Sequence, residues 1–111
     1  MAASNYTNLL IALQRFDEAK ALSRKIMPVA RRVLGDCHEL MLRMNMVYAE
    51  ALYMDDRATL DDIREAVTTI KDTERIARRV LGGVHPLTAD IEGELRKARA
   101  ALRARETPST R

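Results

Sequence analysis

The sequence is poor in residues that break helices or cross-link a chain. Among 111 residues there are four Gly, three Pro, one Cys and no Trp. The single Cys37 excludes an internal disulfide, which fits a reducing compartment but also a cysteine-poor secreted protein, so a cytoplasmic location is only the default expectation. A sheet with many strands needs many turns, and there are too few Gly and Pro residues to form them. Combined with sixteen Ala and thirteen Leu, this scarcity predicts an all-α protein.

Long apolar runs and targeting signals are also missing. The first residues, MAASNYTNLLIALQRF, contain no basic segment, and their apolar run is far shorter than the roughly 20 residues that span a bilayer. We therefore expect no contact with a membrane. A length of 111 residues fits one small domain and excludes a large multidomain enzyme.

Charge is distributed in bands along the chain. The formal net charge is only +3, although fifteen of the nineteen basic residues are Arg. Residues 1–49 and 75–111 are basic overall, whereas residues 50–74 are acidic. Such banding indicates solvated faces of opposite sign rather than one strongly basic surface.

An internal repeat is the strongest signal. The hexapeptide ARRVLG occurs at residues 30–35 and again at 77–82, and a histidine follows each copy at the same distance, as His38 and His85. Apolar residues before and after each copy recur with the three-and-four spacing of a helix face. Each copy therefore predicts the end of one helix, a short turn and the start of the next.

This periodicity predicts five helices, joined by turns short enough to make neighbouring helices antiparallel. Their predicted bounds are residues 3–14, 16–34, 39–54, 60–81 and 86–104. We expect a left-handed backbone at Gly35 and Gly82, just past two helix ends. Residues 54–59, which include the Asp pair before Thr59, predict an exposed and mobile loop.

Two kinds of motif together resemble the tetratricopeptide repeats (TPRs) of the kinesin-light-chain type. The stretches VLGDCH at 33–38 and VLGGVHPLT at 80–88 are similar to the linker between units of that family. NYTNLL at 5–10, followed by FDEA at 16–19, is similar to the start of a unit. The resemblance covers about residues 5–102. One departure is Gln14, which takes the place of the Gly that precedes the aromatic residue in the family.

The resemblance implies a short right-handed α-solenoid of antiparallel helix pairs, TPR-like, with about five helices. Residues 1–105 would form the repeat domain, with units at about 3–35, 39–82 and 86–104, and residues 106–111 a flexible tail. It also implies a non-enzymatic protein-protein interaction module, a scaffold that binds a peptide or a partner helix in its concave groove.

In the family, an Asn on the first helix of each unit faces the groove. Asn5 matches this position, but the equivalent positions hold Val47 and Glu94, so the series of Asn residues is broken. The expected partner-binding residues are the polar, apolar and charged groups of the first and third helices: Asn5, Asn8, Gln14, Arg43, Met44, Asn45 and Tyr48.

Two alternatives remain open. The ends of the solenoid could mediate assembly, with a homodimer formed by apolar residues of the first helix: Tyr6, Leu9, Leu10 and Leu13. The basic last helix could instead bind nucleic acid or another anionic surface, but no aromatic residue follows Tyr53 to stack on bases, which disfavours nucleic acid.

Catalytic and metal-binding patterns are missing. His38 and His85 occupy equivalent linker positions, which predicts a role at helix starts rather than convergence in one pocket. The Asp residues near position 55 lack the ligand spacing of an EF-hand loop. No phosphate loop, catalytic triad or cofactor fingerprint occurs, so we expect no enzyme activity, no metal and no cofactor.

Overall fold

The structure, a computed structural model, describes the backbone of residues 2–106 and the side chains of residues 7–106. Within that range it contains five α-helices and no strand, which confirms the predicted all-α class. The helices are α1 (Ala2–Ala12), α2 (Phe16–Leu34), α3 (Glu39–Tyr53), α4 (Leu60–Leu81) and α5 (Pro86–Glu106). Their ends lie within two residues of the predicted bounds. Glu106, predicted to begin the tail, ends α5; the rest of that tail lies outside the described residues.

Helix ends follow the local chemistry of the sequence. Gly35 and Gly82 have φ angles of 84° and 92°, so the predicted left-handed glycines are confirmed. The amide of each glycine donates to the carbonyl oxygen four residues earlier. Gln14, between α1 and α2, also has a positive φ, of 60°. At the start of α4, Thr59 and Asp62 form a reciprocal capping box.

Helices that follow one another in the sequence pack together, and the odd-numbered helices also pack together. Each helix contacts the next along the chain, and α3 also contacts α1 and α5. Among the described residues, the backbones of α2 and α4 do not contact each other. The odd-numbered helices therefore lie side by side, and α2 and α4 lie on their other side. The molecule measures 48 × 30 × 20 Å.

Most of the core is built around α3. Met41, Leu42 and Leu52 of this helix are fully buried, and they pack with Ile70 of α4 and Ile91 of α5. A smaller cluster of Leu10, Ala19 and Ala51 attaches α1 to α2 and α3. In the part of the chain that the structure describes, no helix is long and apolar enough to cross a bilayer.

The segment between α3 and α4 matches the predicted exposed loop only in part: Met54, Asp56, Arg57 and Thr59 are exposed, but two residues are not. Asp55 and Ala58 are buried, with 7% and 3% of their surfaces exposed. The Asp55 carboxylate accepts a 2.9 Å hydrogen bond from the Arg57 amide, which forms a local turn. The Arg105 guanidinium of α5 donates to the carbonyl oxygens of Asp56 and Ala58. These hydrogen bonds keep the Asp55 and Ala58 positions packed against the fold, whereas the other four residues of the segment are exposed.

Candidate functional site

The third helix exposes one narrow row of side chains. Because α1, α2, α4 and α5 all contact α3, most of its residues are buried. The more accessible residues recur every three or four positions on one face: Arg43, Met46, Glu50 and Tyr53. This spacing places them on one side of α3, between α1 and α5.

Helix α5 continues this surface. Asp90, Gly93, Glu94 and Lys97 line a shallow groove of about 470 Å³ together with Met46 of α3. We use the name odd-helix face for the surface defined by eight residues of these two helices: Arg43, Met46, Glu50, Tyr53, Asp90, Gly93, Glu94 and Lys97. Its groove has an apolar floor at Met46 and charged walls.

A pair of carboxyl groups lies at the centre of the odd-helix face. Burial raises the pKa of Glu50 from 4.5 to about 8, and a hydrogen bond and repulsion from Glu94 add to the effect, while Lys97 opposes it. The Tyr53 hydroxyl donates to Glu94 Oε1, and burial raises the pKa of Tyr53. Lys97 Nζ lies 3.8 Å from Glu94 Oε2. Near neutral pH, Glu50 therefore retains its proton in most molecules.

Some of the residues expected to bind a partner are exposed. Arg43 belongs to the odd-helix face, where it donates a 2.9 Å hydrogen bond to Glu39 one turn earlier. Asn8 and Gln14 are also exposed, on α1 and in the turn that follows it. The side chain of Asn5 lies outside the described residues.

Met44, Asn45 and Tyr48 do not line the odd-helix face, contrary to the expectation that they bind a partner there, because all three are buried. Met44 is buried where α2 meets α3. Tyr48 projects between α2 and α4, where its hydroxyl accepts a 3.0 Å hydrogen bond from Arg24 Nε and donates a 2.5 Å one to Glu65. All three side chains are directed away from the odd-helix face, because α3 is enclosed by neighbours on most sides.

Asn45 lines a second groove, which lies between α2 and α4 and measures about 490 Å³. Only 8% of Asn45 is exposed, and its Oδ1 is buried without a hydrogen-bond partner. Arg31 and Asp36 form a 2.8 Å ion pair at one wall, and Asp72 belongs to the other. Both charged and apolar side chains line this groove, and α3 forms its floor.

Sequence reasoning did not select Glu50, Tyr53 or Glu94 as site residues. One signal was available for Glu94, because alignment of the linkers placed it at the groove position of the repeat. Glu50 and Tyr53 follow Arg43 at helical spacing, which would have placed them on the same face.

The linker histidines act as predicted, at helix starts. His38 Nδ1 accepts a 3.0 Å hydrogen bond from the Leu40 amide, and His85 Nδ1 accepts an equal one from the Leu87 amide. Cys37 is exposed, with Arg79 3.7 Å from its sulfur. Within the described residues, no three His, Cys, Asp or Glu side chains are grouped to hold a metal ion.

The two alternative surfaces are also located. Leu9 and Leu13 are exposed, but Leu10 is only 2% exposed and packs inside the chain, so its expected place in an interface is corrected. The Tyr6 side chain lies outside the described residues. On α5, the Arg105 side chain is engaged by the α3–α4 segment, whereas Arg99 and Arg103 are exposed.

The chain matches no protein-family model, and comparisons with curated proteins and with solved structures give no match.

Proposed function

We propose that the chain is a non-enzymatic protein-interaction module, a short TPR-like solenoid whose odd-helix face receives a segment of a partner protein. The observation that carries this proposal is the side-by-side packing of α1, α3 and α5, with α2 and α4 behind them. In such an arrangement the first helices of successive units form a continuous surface.

The repeated linkers support the solenoid. Gly35 and Gly82 have nearly the same φ angle, and His38 and His85 make the same hydrogen bond. Equal linkers give equal turns between successive units, which is the basis of a regular superhelix. The similarity to kinesin-light-chain repeats, drawn from the same linkers, agrees with this geometry.

The odd-helix face favours an extended peptide with a basic side chain. Glu50 and Glu94 present carboxyl oxygens at the centre of the face, where burial, followed by the hydrogen bond and repulsion from Glu94, raises the pKa of Glu50. An incoming ammonium or guanidinium group would favour the ionised pair and form charge-assisted hydrogen bonds. Met46 offers an adjacent apolar contact.

Selection from a displayed library of random peptides tests this function. We expect wild-type chain to enrich sequences with Lys or Arg at a fixed position and the double variant Glu50→Gln/Glu94→Gln to lose most of that binding. Asp61→Asn is the matched control, because Asp61 is an exposed carboxylate on α4. Failure to enrich any sequence, or equal binding by the double variant, would contradict the proposal.

Assembly through the first end of the helix array is a second candidate. Leu9 and Leu13 are exposed there, and so are Val29 and Val33 of α2. Sedimentation velocity at micromolar concentration tests it: a dimer that Leu9→Glu converts to monomer supports assembly, and a wild-type monomer contradicts it.

A further inference from the structure

The groove between α2 and α4 has a buried hydrogen-bond acceptor at its floor. Asn45 of α3 lines this groove, only 8% of the residue is exposed, and its Oδ1 has no hydrogen-bond partner. A buried polar group without a partner destabilises a fold, so such groups are rare and each one needs an explanation. Because Asn45 is not part of the odd-helix face, this acceptor belongs to a different surface.

The second half of the sequence repeat shows how the same position is satisfied elsewhere in the chain. At the repeat offset, Asn45 corresponds to Glu92, and Arg31 corresponds to Arg78. The Arg78 guanidinium of α4 donates to the Glu92 carboxylate of α5. In the first half, by contrast, Arg31 Nε lies 2.8 Å from Asp36 Oδ1. Arg31 is therefore paired with Asp36, and the Asn45 acceptor is left open.

Most other polar side chains at this groove already have partners. Asp72 Oδ1, on the α4 wall, lies 2.5 Å from the Arg75 guanidinium. The Thr73 hydroxyl donates a 2.7 Å hydrogen bond to the Thr69 carbonyl oxygen, and the Tyr48 hydroxyl is bonded on both sides. Since these charges are compensated within the chain, the unmet requirement of the groove is a neutral donor for Asn45.

An extended chain segment supplies such a donor. The amides inside a helix donate to the helix itself, whereas those of an extended segment are free to donate to another chain. The groove follows α4 from Thr69 to Ile76, a distance of about 10.5 Å along the helix axis. About three extended residues cover that length. Met27 and Ile76 line the groove and offer apolar contacts to their side chains.

We propose that the groove between α2 and α4 binds an extended, uncharged segment of a partner protein, about three residues long, one backbone amide of which donates to Asn45 Oδ1. This acceptor is already buried in the free chain, so its pairing with the segment requires little further loss of its hydration. The proposal is independent of the odd-helix face, because it uses other residues on other helices.

Selection from a displayed library of uncharged peptides tests the proposal. About five randomised residues, too few for a stable helix, exclude Asp, Glu, Lys, Arg and His, so basic ligands of the odd-helix face are absent. We expect the full chain to enrich a common sequence, which Asn45→Leu binds at least about fivefold more weakly. Thr68→Leu, at an exposed position of α4 outside the groove, is the matched control and should bind like wild type.

Two further measurements separate binding from a structural role of Asn45. Asn45→Leu should melt no lower than wild type, because it removes a buried acceptor that has no partner. Methylation of the backbone nitrogens of the selected peptide, one position at a time, should weaken binding to wild type most at a single position. The same methylation should cost little further affinity for Asn45→Leu, since the acceptor is missing there.

The proposal is overturned if no uncharged sequence is enriched, or if Asn45→Leu binds the selected peptide as tightly as wild type, because water would then be the partner of Asn45. It is also overturned if no single methylation weakens binding; this measurement uses wild-type chain and remains decisive even if Asn45→Leu does not fold. A wild-type dimer that Asn45→Leu dissociates would overturn it as well, because the occupant would then be a second copy of this chain.

Discussion

His38 and His85 lie 47 residues apart, and each accepts through Nδ1 a 3.0 Å hydrogen bond from the backbone amide two residues further on. A helix start has amides without partners inside the helix, and a side-chain acceptor placed just before it satisfies one of them. The same hydrogen bond at both positions shows that the two linkers share one local structure. The histidines are therefore part of the architecture of the linkers.

Replacing either histidine should cost stability. We expect His38→Ala and His85→Ala each to lower the free energy of unfolding by about 1 kcal/mol, because the amide of Leu40 or Leu87 loses its acceptor. His38→Asn should retain most of the stability, since its side-chain oxygen can accept the same bond. Urea denaturation followed by circular dichroism measures the difference. Equal losses for the Ala and Asn variants would show that capping is not the role of His38.

Substitutions at the turn residues should change the free energy of unfolding by amounts that differ in sign and size. Gly35→Ala and Gly82→Ala should each destabilise the chain by about 1 kcal/mol, because both glycines have a positive φ. Gly83→Ala should cost less, since the φ of Gly83 is outside that region. Gln14→Gly should stabilise by up to about 1 kcal/mol, because Gln14 has a positive φ. Thermal melting of the four variants gives the order, and a stabilised Gly82→Ala would contradict it.

Substitutions of the leucines in and just after α1 should affect folding at the buried position and not at the exposed ones. Leu10→Glu should unfold the chain or destabilise it by several kcal/mol (about 3 or more), because it buries a carboxylate among apolar side chains. Leu9→Glu and Leu13→Glu should remain folded, since both positions are exposed. Circular dichroism and size-exclusion chromatography measure both properties. A folded Leu10→Glu variant would contradict the position of Leu10 in the core.

Stability should fall as the pH rises through the range governed by Glu50. Its folded-state pKa is about 8 against 4.5 for an ordinary glutamate, so between these values the folded chain holds a proton that the unfolded chain has lost. The free energy of unfolding should decrease between about pH 5 and pH 8, by on the order of 1 kcal/mol because partial exposure screens the charges.

The variant Glu50→Gln isolates this contribution. It removes the titrating group and keeps a similar shape, so its stability should change less with pH than that of the wild type. Urea denaturation at several pH values compares the two proteins. Asp61→Asn, on α4, serves as the control and should keep the wild-type slope. Parallel pH profiles for wild type and Glu50→Gln would exclude Glu50 as the cause.

The helices were predictable because their signals are local. Apolar periodicity, Gly35, Gly82 and the capping residues each act within a few positions of the chain, and the observed helix bounds follow them. The buried state of Asp55 was not predictable, because its segment is held by Arg105, which lies fifty residues further along the chain.

The site was less predictable than the helices. The side of α3 that remains accessible depends on how four other helices surround it, and that is a property of tertiary packing. Arg43 was selected on the accessible side, but Met44, Asn45 and Tyr48 are enclosed by neighbouring helices. The Glu50 and Glu94 carboxyl groups come together only when α3 and α5 pack.

Amide chemical-shift mapping by NMR tests the proposed interaction surface most directly. A basic peptide selected on the wild-type chain is titrated into isotope-labelled protein at neutral pH. We expect the largest shifts on the odd-helix face, at Met46, Glu50, Gly93, Glu94 and Lys97. Shifts concentrated between α2 and α4, around Asn45 and Tyr48, would contradict it.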